Sequence, residues 1–155
     1  MRKRRVLEKV LARQQVILLQ ETHWNEQQGA VWSSGFMAHT TVVAAPARVC
    51  PQQGGPQGRV AILVPQPLVV LHQAIMVAGC AVQARVRAPA PGGNGPAFTF
   101  VSIYLPPAER GPTLMQLLEQ PAPEAPVLLG GDANFDIWQP RDAEETRLAG
   151  VFFTL

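Results

Sequence analysis

The alternation of apolar and polar residues along the chain predicts many short strands and few helices. Apolar positions three and four residues apart predict an amphipathic helix at 2–14, and weaker patterns predict helices at about 113–119 and at 141–149. Short apolar or alternating runs predict strands, at 16–19, 39–45, 60–64, 68–71, 80–87, 98–105 and 127–129. Because strands outnumber helices and some adjoin each other directly, the pattern favours an α/β fold with a mixed or antiparallel sheet.

Segments rich in glycine and proline mark the loops between these elements. Residues 88–96 cannot hold regular structure, so the strands on either side are expected to form a hairpin with a long loop. Residues 52–58 are predicted to form a second loop of the same kind. The chain has 155 residues, 47% of them apolar, and shows no repeat at solenoid spacing. It is therefore expected to form a single domain, residues 1–155.

Two of the predicted strands run directly into acidic side chains. The strand at 16–19 is followed by Glu21, and the strand at 127–129 leads through two glycines to Asp132 and Asn134. Both strands are apolar and are expected to be buried. Carboxylate oxygens are hard ligands that suit Mg²⁺, and Mg²⁺ with positioned acids is the usual equipment for attack on phosphate esters.

Each candidate residue also has a purely structural explanation. Glu21 alone is explained equally well as a ligand-binding carboxylate at the sheet edge and as a structural acid, solvated in a loop or capping a helix. Asp132 and Asn134 stand two apart, so in an extended backbone their side chains would point the same way, but Gly-Asp-Ala-Asn is also good turn chemistry. Tyr104 ends another apolar strand and is either a core-edge aromatic or a hydrogen-bond donor to a phosphate oxygen. The combination of all four favours a phosphate-cleaving site.

Charge and cysteine usage leave the partner open but remove support for several chemistries. The net charge of +2 gives no strong basic field, although eleven of the thirteen cations are Arg, the better bidentate phosphate ligand. The two cysteines and three histidines match no metal spacing, and the sequence has no Walker-type loop and no Gly-x-Ser-x-Gly. Trp24, Trp32 and Trp138 could stack on nucleobases, but packing is the expected role for each. Reduced thiols, without a signal peptide or membrane span, predict a nuclear or cytoplasmic protein.

Four segments occur in a set order along the chain, at 19–23, 58–64, 101–107 and 129–135. In that order they resemble segments of the endonuclease/exonuclease/phosphatase superfamily: its metal-ligand segment, the core strand that follows, the strand with the active-site tyrosine, and the Gly-Asp-x-Asn segment. Members include abasic-site endonucleases, sphingomyelinase-type enzymes, inositol-phosphate phosphatases and non-LTR retrotransposon endonuclease domains. The amino-acid sequences of the last two segments are most similar to those of the retrotransposon domains.

The resemblance implies a four-layer α/β sandwich of two mixed or antiparallel sheets flanked by helices, with the site at one end of the sheets. It implies that Glu21 binds Mg²⁺, for which Mn²⁺ can substitute, and that Asp132 orients or deprotonates the attacking water. Asn134 would help to hold Asp132 or the phosphate, and Tyr104 would contact the scissile phosphate. The implied function is Mg²⁺-dependent cleavage of DNA without a small-molecule cofactor or a membrane partner. A non-catalytic binding module, or an enzyme acting on lipid or inositol phosphates, is the alternative.

The sequence departs from the family pattern at both ends, so the fold is expected to be incomplete. The family opens with a strand that ends in Asn, whereas this sequence starts at the helix that follows it. The family closes with a Ser-Asp-His-type segment, whereas no histidine follows His72. The first strand and the C-terminal strands are therefore expected to be missing. Losing a histidine that stabilises charge costs on the order of 10²-fold or more in rate, so weak or no activity is expected.

Overall fold

The computed structural model describes residues 2–22, 27, 39–50, 55–57, 60–93, 95–124 and 126–152. In chain order the main elements are α1 (Arg2–Leu11), β1 (Ile17–Leu19), β2 (Thr40–Ala45), β3 (Arg48–Cys50), β4 (Gly55–Gln57), β5 (Val60–Pro65), β6 (Val69–Val77), β7 (Ala81–Arg87), β8 (Ala97–Tyr104), α2 (Arg110–Leu118), β9 (Val127–Asp132) and α3 (Ala143–Phe152). Strands dominate, as the alternation of apolar and polar residues predicts.

The strands form two main sheets and one short hairpin. β5 lies between β1 and β2 in a three-stranded antiparallel sheet, while β3 pairs with β4 alone. The second sheet has the order β6-β7-β8-β9, in which β9 is parallel to β8 and the other pairs are antiparallel. The α/β class with mixed and antiparallel sheets is confirmed. The hairpin of β7 and β8 around residues 88–96 is also confirmed.

The elements stack as helix, sheet, sheet and helix. On the outer face of the three-stranded sheet, Leu11 of α1 packs against Leu63. On the outer face of the four-stranded sheet, Ile103 packs in one cluster with Leu114 of α2 and Leu148 of α3. Between the sheets lies the main core, formed by Val43, Ala45, Val60, Ile62, Val64, Val82, Ala84, Val86 and Tyr104. These two sheets with helices outside them agree with the sandwich that the sequence predicts.

Several boundaries differ from the prediction for local reasons. α1 ends at Leu11 because the chain turns at Gln14, whose φ is 59°. β6 continues to Val77, well past the predicted strand at 68–71, and two register shifts interrupt its alternation. β3 and β4 form a hairpin whose second strand lies inside the predicted loop at 52–58. None of the described helices is both long enough and apolar enough to cross a membrane.

The apolar strand before Asp132 is not buried. β9 lies at the edge of its sheet, and Val127, Leu128 and Leu129 are 41%, 50% and 39% exposed. β1 is half-buried. The prediction of two buried strands is therefore wrong for β9, because an apolar run shows that a strand forms but not where in the sheet it lies. Among the strands whose burial the structure describes, β5 is buried along its whole length, because it has a neighbour on each side and a layer on each face.

Candidate active site

The ends of β8 and β9 place Tyr104 and Asp132 side by side. The two strands are parallel, and their last residues, Tyr104 and Asp132, are paired across the sheet. Just beyond this pair, the Leu105 N–H donates to the Asp132 carbonyl oxygen at 2.9 Å. Ligands of open α/β sheets bind at the carboxyl ends of parallel strands. The sheet therefore fixes a phenol and a carboxylate next to each other at a favourable edge.

Two glycines allow β9 to lie close to its neighbours. A Cβ atom at Gly131 would collide with the backbone of Ile103 in β8. A Cβ atom at Gly130 would come within 2.7 Å of the Leu18 side chain in β1. Because Leu18 is three residues before Glu21, this close packing brings the end of β1 to the edge where Asp132 lies.

Beyond β9 the backbone makes a tight turn that is held at Asn134. The Asn134 N–H donates to Asp132 Oδ1 at 2.8 Å, and its Nδ2 donates to the Leu105 carbonyl oxygen at 2.8 Å. Its own carbonyl oxygen accepts from Arg110 Nη1 at 3.0 Å. The φ of Asn134 is 54°, in the left-handed region that Asn tolerates better than most residues. Of the two backbone conformations that the sequence allows here, extended or turn, the structure has the turn, and it carries the Asn134 side chain back to the end of β8.

Glu21 reaches the same edge from the other sheet. β1 ends at Leu19, and Glu21 is exposed with a φ of 49°. Ser102 of β8 is fully buried, and its Oγ donates to the Leu19 carbonyl oxygen at 3.3 Å while accepting from Gln20 Nε2 at 3.1 Å. These two hydrogen bonds tie the end of β1 to β8, so Glu21 directly follows an anchored residue.

The four predicted side chains meet at the phenol of Tyr104. Tyr104 is 5% exposed, and it hydrogen-bonds the side chains of Glu21 and Asn134. Burial is the largest cause that raises the pKa of the phenol; the hydrogen bond to Glu21 and the negative charges of Glu21 and Asp132 raise it further. The hydrogen bond from Asn134 acts in the opposite direction and lowers the pKa. The phenol therefore remains a neutral hydrogen-bond donor throughout the physiological pH range.

The oxygen atoms gathered at this edge suit a small hard cation. Among the described residues no group of three or more His, Cys, Asp or Glu side chains could hold a metal ion, so the donors here are two carboxylates with an amide and a phenol. Mg²⁺ keeps several of its waters and is usually bound through one or two carboxylates, so this set fits it. Thr22, next to Glu21, has a buried Oγ1 without a hydrogen-bond partner in the described part of the chain. The chemical roles of these residues remain predictions.

A buried carboxylate with two arginine partners, of which Arg141 is mostly exposed, lies behind the site and was not predicted from the sequence. Glu145 of α3 is 1% exposed and accepts from Arg110 Nη1 at 3.1 Å and from Arg141 Nη2 at 2.6 Å. The spacing of four residues between Arg141 and Glu145 is a local signal for a pair. The contact of Arg110 with Glu145 joins residues 35 apart, and no local pattern announces it.

Other residues considered from the sequence do not join the site. His23, Trp24 and Trp32 lie outside the described residues. His72 lies on β6, away from the ends of β8 and β9, and is exposed. Trp138 is 77% exposed, so the expectation that it packs in the interior is wrong. The loop that carries it is organised by Asp136, whose Oδ1 accepts from the Trp138 N–H at 2.9 Å.

Comparison with known proteins identifies the family. A family model described as the Endonuclease/Exonuclease/phosphatase family matches residues 1–150. This family includes Mg²⁺-dependent nucleases and phosphatases. No curated protein matches the chain closely enough to serve as a relative. Because the family match spans nearly the whole sequence, the chain belongs to the endonuclease/exonuclease/phosphatase family.

Proposed function

We propose that the site of Glu21, Tyr104, Asp132 and Asn134 hydrolyses phosphodiester bonds of DNA with Mg²⁺, as part of a retroelement-type endonuclease in the nucleus or cytoplasm. The observation that carries this proposal is the meeting of side chains at Tyr104, which hydrogen-bonds Glu21 and Asn134 and senses the charge of Asp132. The resemblance of residues 101–107 and 129–135 to retrotransposon endonuclease domains supports DNA as the substrate.

The hydrogen bonds divide the roles among the residues. Asp132 uses Oδ1 to accept from the Asn134 N–H, which leaves its second oxygen to orient or deprotonate the attacking water. Asn134 uses Nδ2 to hold the Leu105 carbonyl oxygen and so keeps the turn fixed while its side chain contacts Tyr104. Tyr104 stays protonated, and its one O–H hydrogen would donate to a phosphoryl oxygen once Glu21 holds the metal ion instead.

Glu21 is the residue that would hold the metal ion. Its carboxylate is exposed at the end of an anchored segment, as access from solvent requires. When Mg²⁺ or Mn²⁺ is bound, it neutralises charge that develops on the phosphoryl oxygens.

Nicking of supercoiled plasmid DNA tests the proposal. We expect slow, metal-dependent conversion to open circles by the wild-type chain, and no conversion by Asp132→Asn or Glu21→Ala. Glu124→Gln is the matched control, because Glu124 is an exposed acid that pairs with Arg85 away from the site. Cleavage that persists in Asp132→Asn would contradict the proposed site. Rapid cleavage by the wild-type chain would contradict the expectation of slow turnover.

A non-catalytic binding module with the same fold is the second candidate. Metal affinity separates the two candidates, because a ligand that binds only the folded state raises its stability by about 2.7 kcal/mol at 100 times its Kd. The endonuclease proposal expects Mg²⁺ or Mn²⁺ to raise the melting temperature of the wild type but not of Glu21→Ala. No shift with either ion would favour the binding module. Hydrolysis of an inositol phosphate or a phospholipid headgroup, but not of DNA, would show that the enzyme acts on that class of phosphate ester instead of DNA.

A further inference from the structure

The positive charge of Arg110 lies at the N-terminus of α2, where it does not stabilise the helix. It is the first residue of α2, and the first turn of that helix contains no acid. The residue before it, Glu109, makes no side-chain capping bond to the helix. A cation at a helix N-terminus opposes the helix dipole, which favours negative charge there. The position of Arg110 therefore calls for an explanation outside α2.

The Arg110 side chain bridges the turn at Asn134 and the helix α3. One atom, Nη1, donates to the Asn134 carbonyl oxygen at 3.0 Å and to Glu145 Oε1 at 3.1 Å. The guanidinium also lies 5.8 Å from the centre of the Phe135 ring, within the range of a cation–π contact. Arg110 thus contacts two successive residues that follow Asp132 and Ala133.

Glu145 is held firmly enough to fix Arg110 in place. Its side chain is 1% exposed, and Arg141 donates to it from Nη2 at 2.6 Å, from Nε at 3.2 Å and from the backbone N–H at 2.9 Å. Asp142 accepts from the Glu145 N–H at 2.8 Å and so caps the start of α3. The Glu145 carboxylate therefore has a fixed position and, through its hydrogen bond, fixes the position of the Arg110 guanidinium.

Stability alone is a poor reason for this arrangement. Burying an ion pair costs desolvation that apolar side chains of similar size avoid, so buried pairs are weak evidence for stability. In the described part of the chain the Nε of Arg110 is also buried without a partner, which adds a further cost. What the cluster does provide is a hydrogen bond to the carbonyl of a residue in a left-handed conformation.

We propose that Arg110, held by Glu145, is a positioning residue that fixes the left-handed turn at Asn134 and so aims the Asp132 and Asn134 side chains at Tyr104 and Glu21. The inference rests on the proposed function, because it assigns Arg110 to the support of that site. Without Arg110, the Asn134 N–H keeps its hydrogen bond to Asp132 and the Asn134 side chain keeps its bond to the Leu105 carbonyl oxygen, but the Asn134 carbonyl oxygen loses its donor. The carbonyl can then rotate, and the side chain moves with it.

The single tyrosine of the sequence gives a local measurement of this effect. Because Tyr104 is the one tyrosine in the chain, ¹³C-labelled tyrosine yields one set of NMR signals that reports on its contacts with Glu21, Asp132 and Asn134. Mn²⁺ added in increments gives an affinity from the broadening of the same signals. The variants are Arg110→Met and Glu145→Gln, and the matched control is Arg85→Met. Arg85 is comparably buried and paired with Glu124, away from the site.

Residues that orient a metal-binding shell typically change metal affinity by 10- to 100-fold when they are replaced. We expect Arg110→Met to move the Tyr104 signals and to weaken Mn²⁺ binding about 10-fold. We expect Glu145→Gln to do the same to a smaller extent, and Arg110→Lys to restore part of the loss. Arg85→Met should leave both measurements unchanged, even if it lowers the melting temperature.

The outcomes separate this inference from the proposed function. If Arg110→Met has the same Tyr104 signals and the same Mn²⁺ affinity as the wild type, the positioning role is overturned. If the wild type binds no Mn²⁺ but the Tyr104 signals still move in Arg110→Met, the positioning role stands and the metal-dependent function fails. If Arg110→Met does not fold, Glu145→Gln, which keeps the size and an oxygen acceptor, decides by the same two measurements.

Discussion

The two halves of the candidate site are built in different ways. Asp132 and Asn134 extend from a parallel strand in register with β8, with Gly131 pressed against the β8 backbone and hydrogen bonds on each polar group of the Asn134 backbone. Glu21 follows the three-residue strand β1, which is tied to β8 through Ser102. The half with Asp132 and Asn134 is part of the four-stranded sheet and its supporting helices. The half with Glu21 is a segment that hydrogen bonds attach to that sheet.

This difference indicates which substitutions damage the fold and which affect only the alignment of the site. Changes in the Asp132 half remove contacts that the four-stranded sheet needs, so their effect on stability should be large. Changes at the end of β1 should shift Glu21 and leave the sheet intact.

Gly131→Ala should cause the largest loss. Its Cβ would meet the backbone of Ile103, which cannot move without breaking the pairing of β8 and β9, so we expect a loss of about 3 kcal/mol or more, or failure to fold. Gly130→Ala meets the end of the flexible Leu18 side chain and should cost about 1–2 kcal/mol. Unfolding in urea measures both.

Gly150→Ala is the control for these two variants. It lies in α3 with open space around the added Cβ, so it should stabilise by about 0.5–1 kcal/mol. Equal losses in Gly130→Ala and Gly131→Ala would contradict the contrast between the contact of β9 with the β8 backbone and its contact with β1.

Glu145 should make the free energy of unfolding depend on pH in the acid range. The side-chain hydrogen bond from Arg141, the backbone bond from the same residue and the bond from Arg110 lower the pKa of Glu145 from 4.5 to about 2. A lowered pKa stabilises the folded state above pH 4.5, and that stabilisation is lost as the pH falls towards 2. The difference in unfolding free energy between wild type and Glu145→Gln should therefore shrink over this range. A difference that stays constant with pH would rule out this role for the carboxylate.

Asn134→Ala should cost about 2 kcal/mol, because it removes the side-chain hydrogen bond to Leu105 and places a residue with a Cβ in the left-handed region without the local support of an amide. Asn134→Gly removes the same hydrogen bond but relieves the backbone strain, so it should recover about 1 kcal/mol of the loss. Thermal unfolding of the two variants separates the contributions. Equal stability of the two would show that the backbone conformation carries no cost.

Ser102→Ala should have the smallest effect on stability, about 1 kcal/mol, since it removes one hydroxyl that bonds Leu19 and Gln20. It should nevertheless weaken Mn²⁺ binding, because the segment that carries Glu21 loses its tie to β8. Thr99→Val is the control: Thr99 lies on the same strand and its Oγ1 donates to the Glu124 carbonyl oxygen at 2.6 Å, away from the site. Loss of Mn²⁺ affinity in Thr99→Val as well would mean that any weakening of β8 has this effect.

The sequence predicts a strand correctly where apolar and polar residues alternate regularly. It fails where a segment becomes a strand only because it pairs with a distant one. In β7, Val82, Ala84 and Val86 alternate with polar residues, and the strand forms as predicted with these three side chains in the core. β6 mixes Leu71 and Ile75 with polar residues across two register shifts, so only its beginning is predicted. β4 contains glycine and proline and is a strand only because β3 pairs with it. Pairing of this kind leaves no local pattern.

The site was predictable where it lies at strand ends and unpredictable where it depends on distant contacts. The positions of Glu21, Tyr104 and Asp132 after apolar runs, together with the family resemblance, point to one edge of the sheets. The bend at Asn134 was recognisable as turn chemistry, but its coincidence with the site required the hydrogen bond to Leu105, 29 residues away. Arg110 and Glu145 contact each other only through the packing of α2 beside α3.

The pairing of Tyr104 with Asp132 has a consequence for the lengths that the chain tolerates. The connection between α2 and β9 lies outside both strands, so residues added at 120–123 leave the register of β8 and β9 unchanged. A single residue inserted within β9 would turn Asp132 to the opposite face of the sheet and away from the phenol. Natural length variation should therefore accumulate in this proline-containing link, whereas the spacing from Val127 to Asp132 should be invariant.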